Sequence, residues 1–430
     1  MATMPEQSQV SSQPSERKSI VIIGGGVVGA ATAFYLAEAG CDVTIIDKGD
    51  FGQGCSHGNC GYVSPSHVFP LCQPGMIGST LKTLLQSNSP LRIQPRLDPA
   101  FWSWMLSFAG NCNKEHMYHA GAARHALLHS SRALYGDLID AGILPNCEWK
   151  PRGLIFVFQT EKTFEHHQEI ATQVRETFGV DAKPFAGQEL NDLEPALKSG
   201  IAGGWLYDCD AHLRPDRLMQ AWRQALELRG VTIKEHCEFQ GWEVNSGRVS
   251  AVKTSQGSIP AEEVIVATGA WTPLLKQQIG MRLPIEPGKG YSITMDRPAI
   301  CPSYPMLFEE HRVGVTPMQT GFRVGSTMEF VGHNPDINPK RLKLLTDGAR
   351  HYLRDPIDNP VLERWAGWRP MSCDGIPMIG QIPKIKNAWA ATGHSMLGLS
   401  MSTATGKLMK EMIFRQTPHI DPEPYRLDRF

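Results

Sequence analysis

A glycine-rich turn near the N-terminus constrains this chain more than any other sequence feature. Before the turn, residues 19–23 (SIVII) form a short β-branched apolar run, which is typical of a buried parallel strand. After it, residues 30–39 have helical propensity, and residues 43–46 (VTII) form a second apolar run that ends at Asp47. Together they predict a β-α-β unit of about 30 residues, and hence a parallel α/β sheet.

The turn itself has the spacing of a dinucleotide-binding motif, because Gly24, Gly26 and Gly29 form G-x-G-x-x-G. The first glycine permits a tight turn, the second lets the backbone approach a pyrophosphate, and the third lets the helix pack against the strand. Asp47 lies 23 residues after Gly24, where a carboxylate accepts hydrogen bonds from ribose hydroxyls. This acidic residue disfavours the 2′-phosphate of NADP, whereas the motif alone leaves NAD and FAD open.

Composition argues against several classes of function. The 430 residues are 41% hydrophobic and 20% charged, which is typical of a soluble globular protein of about two or three domain-sized units. Lys+Arg (42) and Asp+Glu (43) nearly cancel, so no basic surface for nucleic acid is expected. None of the ten scattered cysteines forms a C-x-x-C pair, so we expect free thiols, a reducing cytoplasmic compartment and no metal site.

The N-terminal residues 1–18 are predicted to be a disordered tail. They are rich in Ser, Gln and Glu, and they lack both the apolar core of a secretory signal and the Arg-rich face of a transit peptide. Residues 20–39 are apolar enough to be mistaken for a membrane span, but their four glycines and their β-then-α pattern favour the β-α-β unit. A peripheral membrane contact stays open.

The rest of the chain mixes helical and strand patterns. We predict an aromatic helical region over 74–111 and helices over 124–141, 215–228 and 341–353. Strands are predicted at 153–158, 231–233 and 264–267, and residues 283–330 alternate like antiparallel strands. The C-terminal region predicts a Gly/Pro-rich loop at 367–383, a strand at 388–391 and a helix over 403–414.

Three segments carry a resemblance to a known family: residues 55–62 (CSHGNCGY), residues 264–272 (VIVATGAWT), and residues 367–380 (GWRPMSCDGIPMIG) followed by 391–398 (ATGHSMLG). In this order and spacing the chain resembles the D-amino-acid oxidase superfamily of FAD-dependent oxidoreductases, which includes glycine and sarcosine oxidases. Within it, the chain is most similar to the small subunit of bacterial D-amino-acid dehydrogenases. This similarity rests on residues 88–91, the aromatic stretch around Trp102 and Trp104, and residues 287–292 (PGKGYS).

The resemblance implies an α/β (α+β) protein of two lobes. One lobe is a Rossmann-like FAD-binding domain assembled from discontinuous segments, and the other is a substrate domain with an antiparallel β-sheet. The implied boundaries are a tail at 1–18, FAD-binding segments at 19–75, 205–280 and 362–425, and substrate-domain segments at 76–204 and 281–361.

The resemblance also implies a non-covalent FAD site. Some members of the superfamily attach FAD through a cysteine six residues before an aspartate like Asp374, but this chain has Trp368 at that position. The loop at 55–62 is expected along the pyrophosphate and flavin, and residues 393–399 are expected to offer N–H groups to the pyrimidine edge. The implied cofactor-binding residues are Gly24, Gly26, Val28, Gly29, Asp47, Lys48, Ser56, Asn59, Gly61, Tyr62, Thr268, Gly269, Trp271, Gly393, Met396, Leu397, Gly398 and Leu399.

Three residues are the candidates for binding and catalysis. Arg369, in the family's G-x-R-P segment, is the candidate carboxylate anchor because a guanidinium binds a carboxylate in bidentate geometry. Tyr291 is expected either to add a hydroxyl to that carboxylate or to pack in the core. His57 is the candidate acceptor of the amine proton, with His212 and His394 as alternatives, because imidazole titrates near working pH.

Two departures from relatives bear on the reaction. Arg323 stands where sarcosine oxidases carry a lysine used with oxygen, which favours a dehydrogenase over an oxidase, although a solvated arginine explains it equally well. Residues 395–397 (SML) replace an arginine that glycine oxidases carry after the Gly-His pair. This replacement favours a more apolar or cyclic substrate than glycine.

The implied function is that of an FAD-dependent dehydrogenase. It would oxidise a small neutral or cyclic D-amino acid, such as D-alanine, D-proline or hydroxy-D-proline, to the imine or 2-oxo acid by hydride transfer to flavin N5. The implied partner is an electron acceptor such as a quinone or an electron-transfer protein. The alternatives are a glycine/sarcosine-type amine oxidase that uses oxygen, a non-catalytic FAD-binding assembly factor, and an NAD-dependent dehydrogenase, in which the C-terminal segment has no role.

Overall fold

The computed structural model describes residues 17–78, 89–355 and 358–430, so most of the predicted tail lies outside the described residues. The described strands, in chain order, are β1 Ser19–Ile23, β2 Asp42–Ile46, β3 Tyr62–Val63, β4 Leu91–Ile93, β5 Leu154–Phe158, β6 Lys183–Ala186, β7 Gly203–Tyr207, β8 Ala211–His212, β9 Thr232–Lys234, β10 Phe239–Asn245, β11 Arg248–Thr254, β12 Gly257–Pro260, β13 Glu263–Val266, β14 Ile285–Met295, β15 Met306–Phe308, β16 Val313–Met318, β17 Gly321–Phe330, β18 Val361–Ser372, β19 Met378–Gln381 and β20 Ala388–Thr392.

The described helices connect these strands or follow the last of them. In chain order they are α1 Val27–Glu38, α2 Pro99–Gly110, α3 Lys114–Asp140, α4 Glu161–Phe178, α5 Gln188–Leu193, α6 Pro215–Glu227, α7 Lys276–Ile279, α8 Pro339–Arg350 and α9 Gly398–Ile413, with 3₁₀ turns at Gly269–Leu275 and Glu423–Tyr425. No helix within the described ranges is both long enough and apolar enough to cross a membrane.

A six-stranded sheet, which we call the Rossmann sheet, contains the predicted β-α-β unit. Its strand order is β19-β20-β13-β1-β2-β9, and its pairs are parallel except β19 with β20. The central strand β1 has the predicted bounds and is buried on both faces, which accounts for its unbroken β-branched sequence. Helices α1, α3, α6 and α9 pack on one face, and the small sheet β10-β11-β12 packs on the other.

A second, larger sheet, which we call the substrate sheet, runs in the order β18-β14-β17-β16-β15-β5-β7-β6, with β4 added beside β17. Most of its pairs are antiparallel; β15 with β5 and β17 with β4 are the parallel ones. Strands of the two sheets alternate along the chain, so each lobe is built from segments far apart in sequence. The predicted α/β (α+β) class, with an antiparallel second sheet, is confirmed.

The predicted Gly/Pro-rich loop at 367–383 is wrong. Residues up to Ser372 belong to β18, which pairs with β14 over its whole length, and β19 occupies Met378–Gln381. The glycine and proline residues that suggest a loop are tolerated because β18 is an edge strand. The missing N–H of Pro370 therefore leaves no hydrogen-bond acceptor of an inner strand unpaired. The predicted aromatic helical region at 74–111 contains β4 and α2, while its residues 79–88 lie outside the described ranges.

Candidate active site

The glycine turn after β1 has the geometry expected of a dinucleotide cradle. Gly24 has φ +115°, and a Cβ there would lie 2.5 Å from the carbonyl oxygen of Ala267, so only glycine fits. A Cβ on Gly29 would lie 2.0 Å from the Gly24 carbonyl oxygen, because α1 packs directly against the turn. At Gly26 a Cβ would approach only the Ser56 hydroxyl, at 3.4 Å. The turn is therefore closed by protein at its first and third glycines and open at the second.

The start of α1 is suited to a negatively charged group. The cap residue Gly26 supplies no side-chain acceptor, and the first turn contains no acidic residue. The hydroxyl of Ser56 accepts a hydrogen bond from the N–H of Val27 at 2.9 Å, while Val28 lies half-buried in the same turn. Because free N–H groups and the helix dipole favour an anion, this end fits a pyrophosphate.

Asp47 is held beside the same turn. Its two carboxylate oxygens accept hydrogen bonds from the N–H groups of Gly25 (2.7 Å) and Gly49 (2.9 Å). The next residue, Lys48, places its ammonium over the indole of Trp271, whose ring also stacks on His333 with centroids 4.3 Å apart. These contacts bring the predicted residues at the end of β2 to the predicted residues that follow β13.

Thr268 and Gly269 form the exit of β13. The hydroxyl of Thr268 lies 3.0 Å from that of Thr272, and the Gly269 carbonyl accepts hydrogen bonds from the hydroxyls of Thr272 (2.8 Å) and Thr392 (3.2 Å). Gly269 has φ +54°, a conformation that glycine adopts without strain. This exit therefore lies beside the end of β20, where the C-terminal motif begins.

The C-terminal motif supplies a second helix N-terminus. Gly393 has φ +72°, and α9 begins at Gly398 without a side-chain cap or an acidic residue in its first turn. Leu397 and Leu399 are buried, whereas Met396 is 41% exposed. Ser400 in the first turn of α9 bonds the backbone of Tyr62 and Ser64, so this helix start lies beside the end of the 55–62 loop. A helix start of this kind is suited to an electron-rich ring edge.

The loop of residues 55–62 is held in place by its own hydrogen bonds. The Asn59 amide donates to the carbonyls of Cys55 (3.2 Å) and Ser56 (3.1 Å) and accepts from the N–H of Gly61 (2.8 Å). Gly61 has φ +73°, and a Cβ there would lie 2.0 Å from the Leu213 carbonyl oxygen.

Tyr62 connects this loop to the substrate sheet. Its hydroxyl donates to the backbone carbonyls of Met306 and Val315, at 3.0 and 2.9 Å. The loop therefore joins the two lobes.

Arg369 lies on one face of the substrate sheet with no acidic partner. In the β14–β18 register it is opposite Gly288, and a Cβ on Gly290 would fall 2.4 Å from its guanidinium carbon. One Nη donates to the Thr327 carbonyl at 2.8 Å, and no described carboxylate forms an ion pair with it. Burial lowers the pKa of this guanidinium. A half-buried cation without a counter-charge is partly desolvated and unpaired, so the site favours an anionic ligand.

The surroundings of Arg369 are apolar. A Cβ on Gly288 would lie 2.7 Å from the side chain of Met371 and 3.5 Å from the sulfur of Met328. The titratable groups that act most on its guanidinium are the thiols of Cys55 and Cys60. This environment favours a ligand with one anionic group for the guanidinium and an uncharged remainder.

Tyr291 is not brought to Arg369. Side chains alternate along β14, and Tyr291 points to the opposite face, where it packs with Leu342 and Leu345 of α8. Its hydroxyl donates to Glu329 at 2.5 Å, and burial raises its pKa. The structure thus places it in the core, which was the second of the two interpretations of this residue.

His57 is paired with Glu363 of β18 rather than with Arg369. Its Nε2 lies 2.6 Å from a carboxylate oxygen of Glu363, and hydrogen bonding from His57 lowers the pKa of that carboxyl. Glu363 precedes Arg369 by six residues on β18, or about 20 Å along an extended strand.

The alternative histidines are buried. Burial lowers the pKa of His212 to about 4. His394 shares a hydrogen bond of 3.0 Å with the Thr405 hydroxyl, and burial lowers its pKa to about 3. Both imidazoles are therefore neutral at pH 7.

Sequence reasoning missed several residues on the Arg369 face of the sheet. Trp365 packs against Gly58, where a Cβ would lie 2.2 Å from its ring, and Ser292 lies opposite Trp365 in the register. Trp368 points to the other face and donates to the Gly332 carbonyl at 3.1 Å. The alternation of side chains along β18 shows which of them share the face of Arg369, but a segment predicted to be a loop has no such alternation to use.

Comparison with known proteins gives a consistent result. The profile of the family described as DAO, FAD dependent oxidoreductase, matches residues 19–412. D-amino acid dehydrogenase from Paramagnetospirillum magneticum is 32% identical over 96% of this chain and 98% of its own length. The enzyme of the same name from Granulibacter bethesdensis is 32% identical over 96% and 99%.

Solved structures also match the fold of this chain over nearly its whole length. Glycine oxidase from Geobacillus kaustophilus superposes with a TM-score of 0.78 at 23% identity, covering 96% of this chain and 99% of its own. L-proline dehydrogenase from P. horikoshii has a TM-score of 0.71 at 21% identity, covering 96% and 98%.

Proposed function

Since the chain belongs to the DAO family of FAD dependent oxidoreductases, we propose that it is an FAD-dependent dehydrogenase of small neutral or cyclic D-amino acids, such as D-alanine, D-proline or hydroxy-D-proline. The product is the imine or the 2-oxo acid. The names of the D-amino acid dehydrogenases that match almost the whole chain support the substrate class.

One observation carries the proposal: Arg369 is a half-buried guanidinium with no acidic partner among the described residues. An amino acid supplies the missing carboxylate. The fork of the guanidinium fixes that carboxylate in two positions, and the Thr327 carbonyl fixes the fork. The orientation of the Cα–H bond then follows from the binding of the carboxylate, which is the requirement for selecting one enantiomer.

The residues around Arg369 favour an uncharged side chain. Met328 and Met371 are apolar and adaptable, and no described carboxylate lies there to pair with a basic substrate side chain. FAD, when bound, supplies the hydride acceptor. The residues of this chain bind the carboxylate, orient the substrate and exclude water from the apolar surroundings of Arg369.

The FAD site is proposed at the open face of Gly26, the carboxylate of Asp47, the loop at 55–62 and the start of α9. The open space at Gly26 and the helix starts without acidic residues fit a pyrophosphate and an electron-rich ring edge. We propose non-covalent attachment, because Trp368 replaces the cysteine and points away from Arg369. Acid precipitation is expected to leave FAD in the supernatant; yellow precipitated protein contradicts this.

The test of the reaction is an anaerobic visible spectrum of the purified protein during titration. D-alanine, D-proline, cis-4-hydroxy-D-proline, glycine, sarcosine and the L-enantiomers are added in turn. We expect D-compounds to bleach the flavin band and L-enantiomers to leave it unchanged. A yellow protein that no amine bleaches contradicts the proposal and favours the non-catalytic assembly factor.

The alternative within the same chemistry is a glycine/sarcosine-type oxidase that uses oxygen. A dehydrogenase forms little hydrogen peroxide at air saturation and requires an added acceptor such as a quinone analogue or an electron-transfer protein. Stoichiometric peroxide with glycine or sarcosine supports the oxidase instead.

We propose a cytoplasmic enzyme with a peripheral membrane contact at α2. Leu97, Trp102 and Leu106 on and before this helix are 106%, 48% and 75% exposed, and Arg282 packs against it. Exposed Trp and Leu beside an arginine favour a membrane–water interface.

Sedimentation with phosphatidylcholine/phosphatidylglycerol vesicles tests this contact. The variant in which all three residues of the patch are replaced by Ser is expected to lose binding. Leu228→Ser, at an 86% exposed site elsewhere, is expected to keep it. Equal binding by both variants contradicts the proposal.

A further inference from the structure

The loop at 55–62 uses its backbone hydrogen-bonding groups unevenly. Every carbonyl from Cys55 to Tyr62 accepts a hydrogen bond. In contrast, the N–H groups of Gly58, Asn59 and Cys60 have no hydrogen-bond partner within the described ranges. Unpaired backbone donors in a half-buried loop call for an acceptor, because each donor that is shielded from solvent costs free energy unless a ligand or water binds it.

Side chains from the substrate sheet hold the central carbonyls of this loop. Arg323 on β17 donates from one Nη to the carbonyls of His57 (3.1 Å) and Asn59 (2.9 Å). Ser292 on β14 donates to the Gly58 carbonyl at 2.7 Å. Thr316 on β16 donates to the Cys60 carbonyl, also at 2.7 Å. Four consecutive carbonyls are thus bound by three neighbouring strands.

This arrangement directs the unpaired donors. In a trans peptide the C=O of one residue and the N–H of the next point in opposite directions. Holding the carbonyls of residues 57–59 against the sheet side chains therefore turns the N–H groups of residues 58–60 away from those side chains. They form a set of fixed donors for an acceptor on the other side of the loop.

Arg323 also adds positive charge to this region. It is 2% exposed, and its Nε donates to the Thr294 hydroxyl at 2.9 Å. Its only acidic contact at ion-pair distance among the described residues is Glu363 at 3.4 Å, which is shared with His57. Asp216, the other carboxylate that acts on Arg323, is itself paired with Arg214. The charge of Arg323 is therefore incompletely balanced.

We propose that Arg323 is a positioning residue that holds the N–H donors of residues 58–60 toward the bound flavin and raises its reduction potential. This rests on the proposed function, which places the flavin along the loop. Fixed dipoles and a buried cation stabilise the negative charge that the ring gains on reduction, and they need no rearrangement to do so.

The test is the midpoint potential of the bound flavin, titrated with a reductant that needs no amino-acid substrate. We expect Arg323→Gln to make the potential more negative and to raise the Kd of FAD about tenfold, because a charged hydrogen-bond donor is lost. Arg323→Lys, which keeps the charge, is expected to lie between Arg323→Gln and the wild type. Ser292→Ala is expected to shift the potential slightly in the same direction.

Arg341→Gln is the matched control. Arg341 is also buried and holds backbone carbonyls, those of Ser89, Pro90 and Met328, but it reaches them from α8. Its loss is expected to lower thermal stability without changing the potential. A folded, FAD-containing Arg323→Gln variant with the wild-type potential overturns the proposal.

If Arg323→Gln does not fold, Ser292→Ala and Thr316→Val decide the question, and unchanged potentials in both also overturn it. The reductant bypasses the substrate, so the two proposals fail separately. A flavin that no amino acid bleaches, but whose potential moves with Arg323, refutes the proposed substrate and leaves this inference standing.

Discussion

At the scale of single residues, the site is defined by charges that the protein leaves unmatched. Arg369 has no acidic partner in the described ranges, and Arg323 shares one carboxylate with His57. Arg341, in contrast, is paired with the buried carboxylate of Glu329 at 3.4 Å. We therefore propose the uncompensated guanidinium of Arg369 as the group that binds a carboxylate ligand.

Replacing Arg369 tests its role as the carboxylate anchor. We expect Arg369→Met to raise the KM for D-amino acids about 10- to 100-fold, because a charged bidentate hydrogen bond is lost. Arg369→Lys keeps the charge but not the bidentate geometry, so we expect a smaller increase in KM. Steady-state kinetics with an artificial acceptor measure this effect. Arg364→Met is the matched control, since Arg364 is exposed on the same strand. An unchanged KM in Arg369→Met excludes the anchor.

Asp210 is a buried acid that sequence reasoning did not single out. It is fully buried, accepts hydrogen bonds from the N–H (2.9 Å) and hydroxyl (2.6 Å) of Ser66, and burial raises its pKa to about 7. Because the folded pKa exceeds the unfolded value, the stability that the neutral acid contributes is full below about pH 4 and is lost as the pH rises through 7.

The pH dependence of unfolding tests this ionisation. Urea denaturation at pH 5 and pH 8 is expected to show a loss on the order of 4 kcal/mol or less in the wild type, and a smaller loss in Asp210→Asn. The half-exposed neighbour Asp208, when changed to Asn, is expected to keep the wild-type difference. Identical pH profiles for Asp210→Asn and the wild type refute this assignment.

At the scale of elements, the glycines of the turn between β1 and α1 have two different roles: some are needed for packing and one leaves room for a ligand. Gly24 and Gly29 are required by contacts of the protein with itself, whereas Gly26 faces open space apart from the Ser56 hydroxyl. The same three-glycine pattern therefore has two different physical causes, and substitution distinguishes them.

Alanine substitutions in this unit are expected to behave differently. Gly29→Ala places a Cβ 2.0 Å from the Gly24 carbonyl oxygen and is expected to destabilise the apoprotein by about 1–3 kcal/mol or more. Gly26→Ala is expected to keep apoprotein stability and to lose FAD affinity. Gly136→Ala in α3, where a Cβ meets only an Arg132 side-chain nitrogen at 3.8 Å, is the neutral control. Thermal melts and FAD content measure both effects, and equal FAD content in Gly26→Ala contradicts the open-cradle interpretation.

At the scale of the whole molecule, the proposed cofactor site draws on segments from both lobes. The turn after β1, the exit of β13 and the start of α9 come from the Rossmann sheet, while the side chains that hold the loop at 55–62 come from the substrate sheet. A ligand bound across them stabilises both lobes together.

FAD removal tests this coupling. The apoprotein is expected to melt at a lower temperature, and added FAD is expected to restore about 2.7 kcal/mol when it reaches 100 times its Kd. ADP, which reaches only the glycine turn and Asp47, is expected to restore part of this. Riboflavin, which lacks the adenosine half of FAD, is the corresponding control for the flavin end of the site. Apoprotein and holoprotein melting together contradict a site shared by the lobes.

The sequence by itself determined the β-α-β unit, the α/β (α+β) class, the FAD cofactor and the family. The β-α-β unit depends on one contiguous motif, in which a few neighbouring residues specify a turn, a strand or a helix start. The family and its FAD cofactor follow from three short motifs in a recognisable order along the chain. It also indicated Arg369, because that residue lies in a recognisable G-x-R-P segment.

Only the tertiary structure decided which side chains share a face. Tyr291 and Arg369 lie on paired strands, yet they point to opposite sides, and that depends on the register of β14 with β18. Likewise, the carbonyls of residues 57–60 are bound by Ser292, Thr316 and Arg323, more than 230 positions later in the chain. Strand alternation assigns a face only after pairing partners and register are known, and pairing between segments so distant is a property of the folded chain.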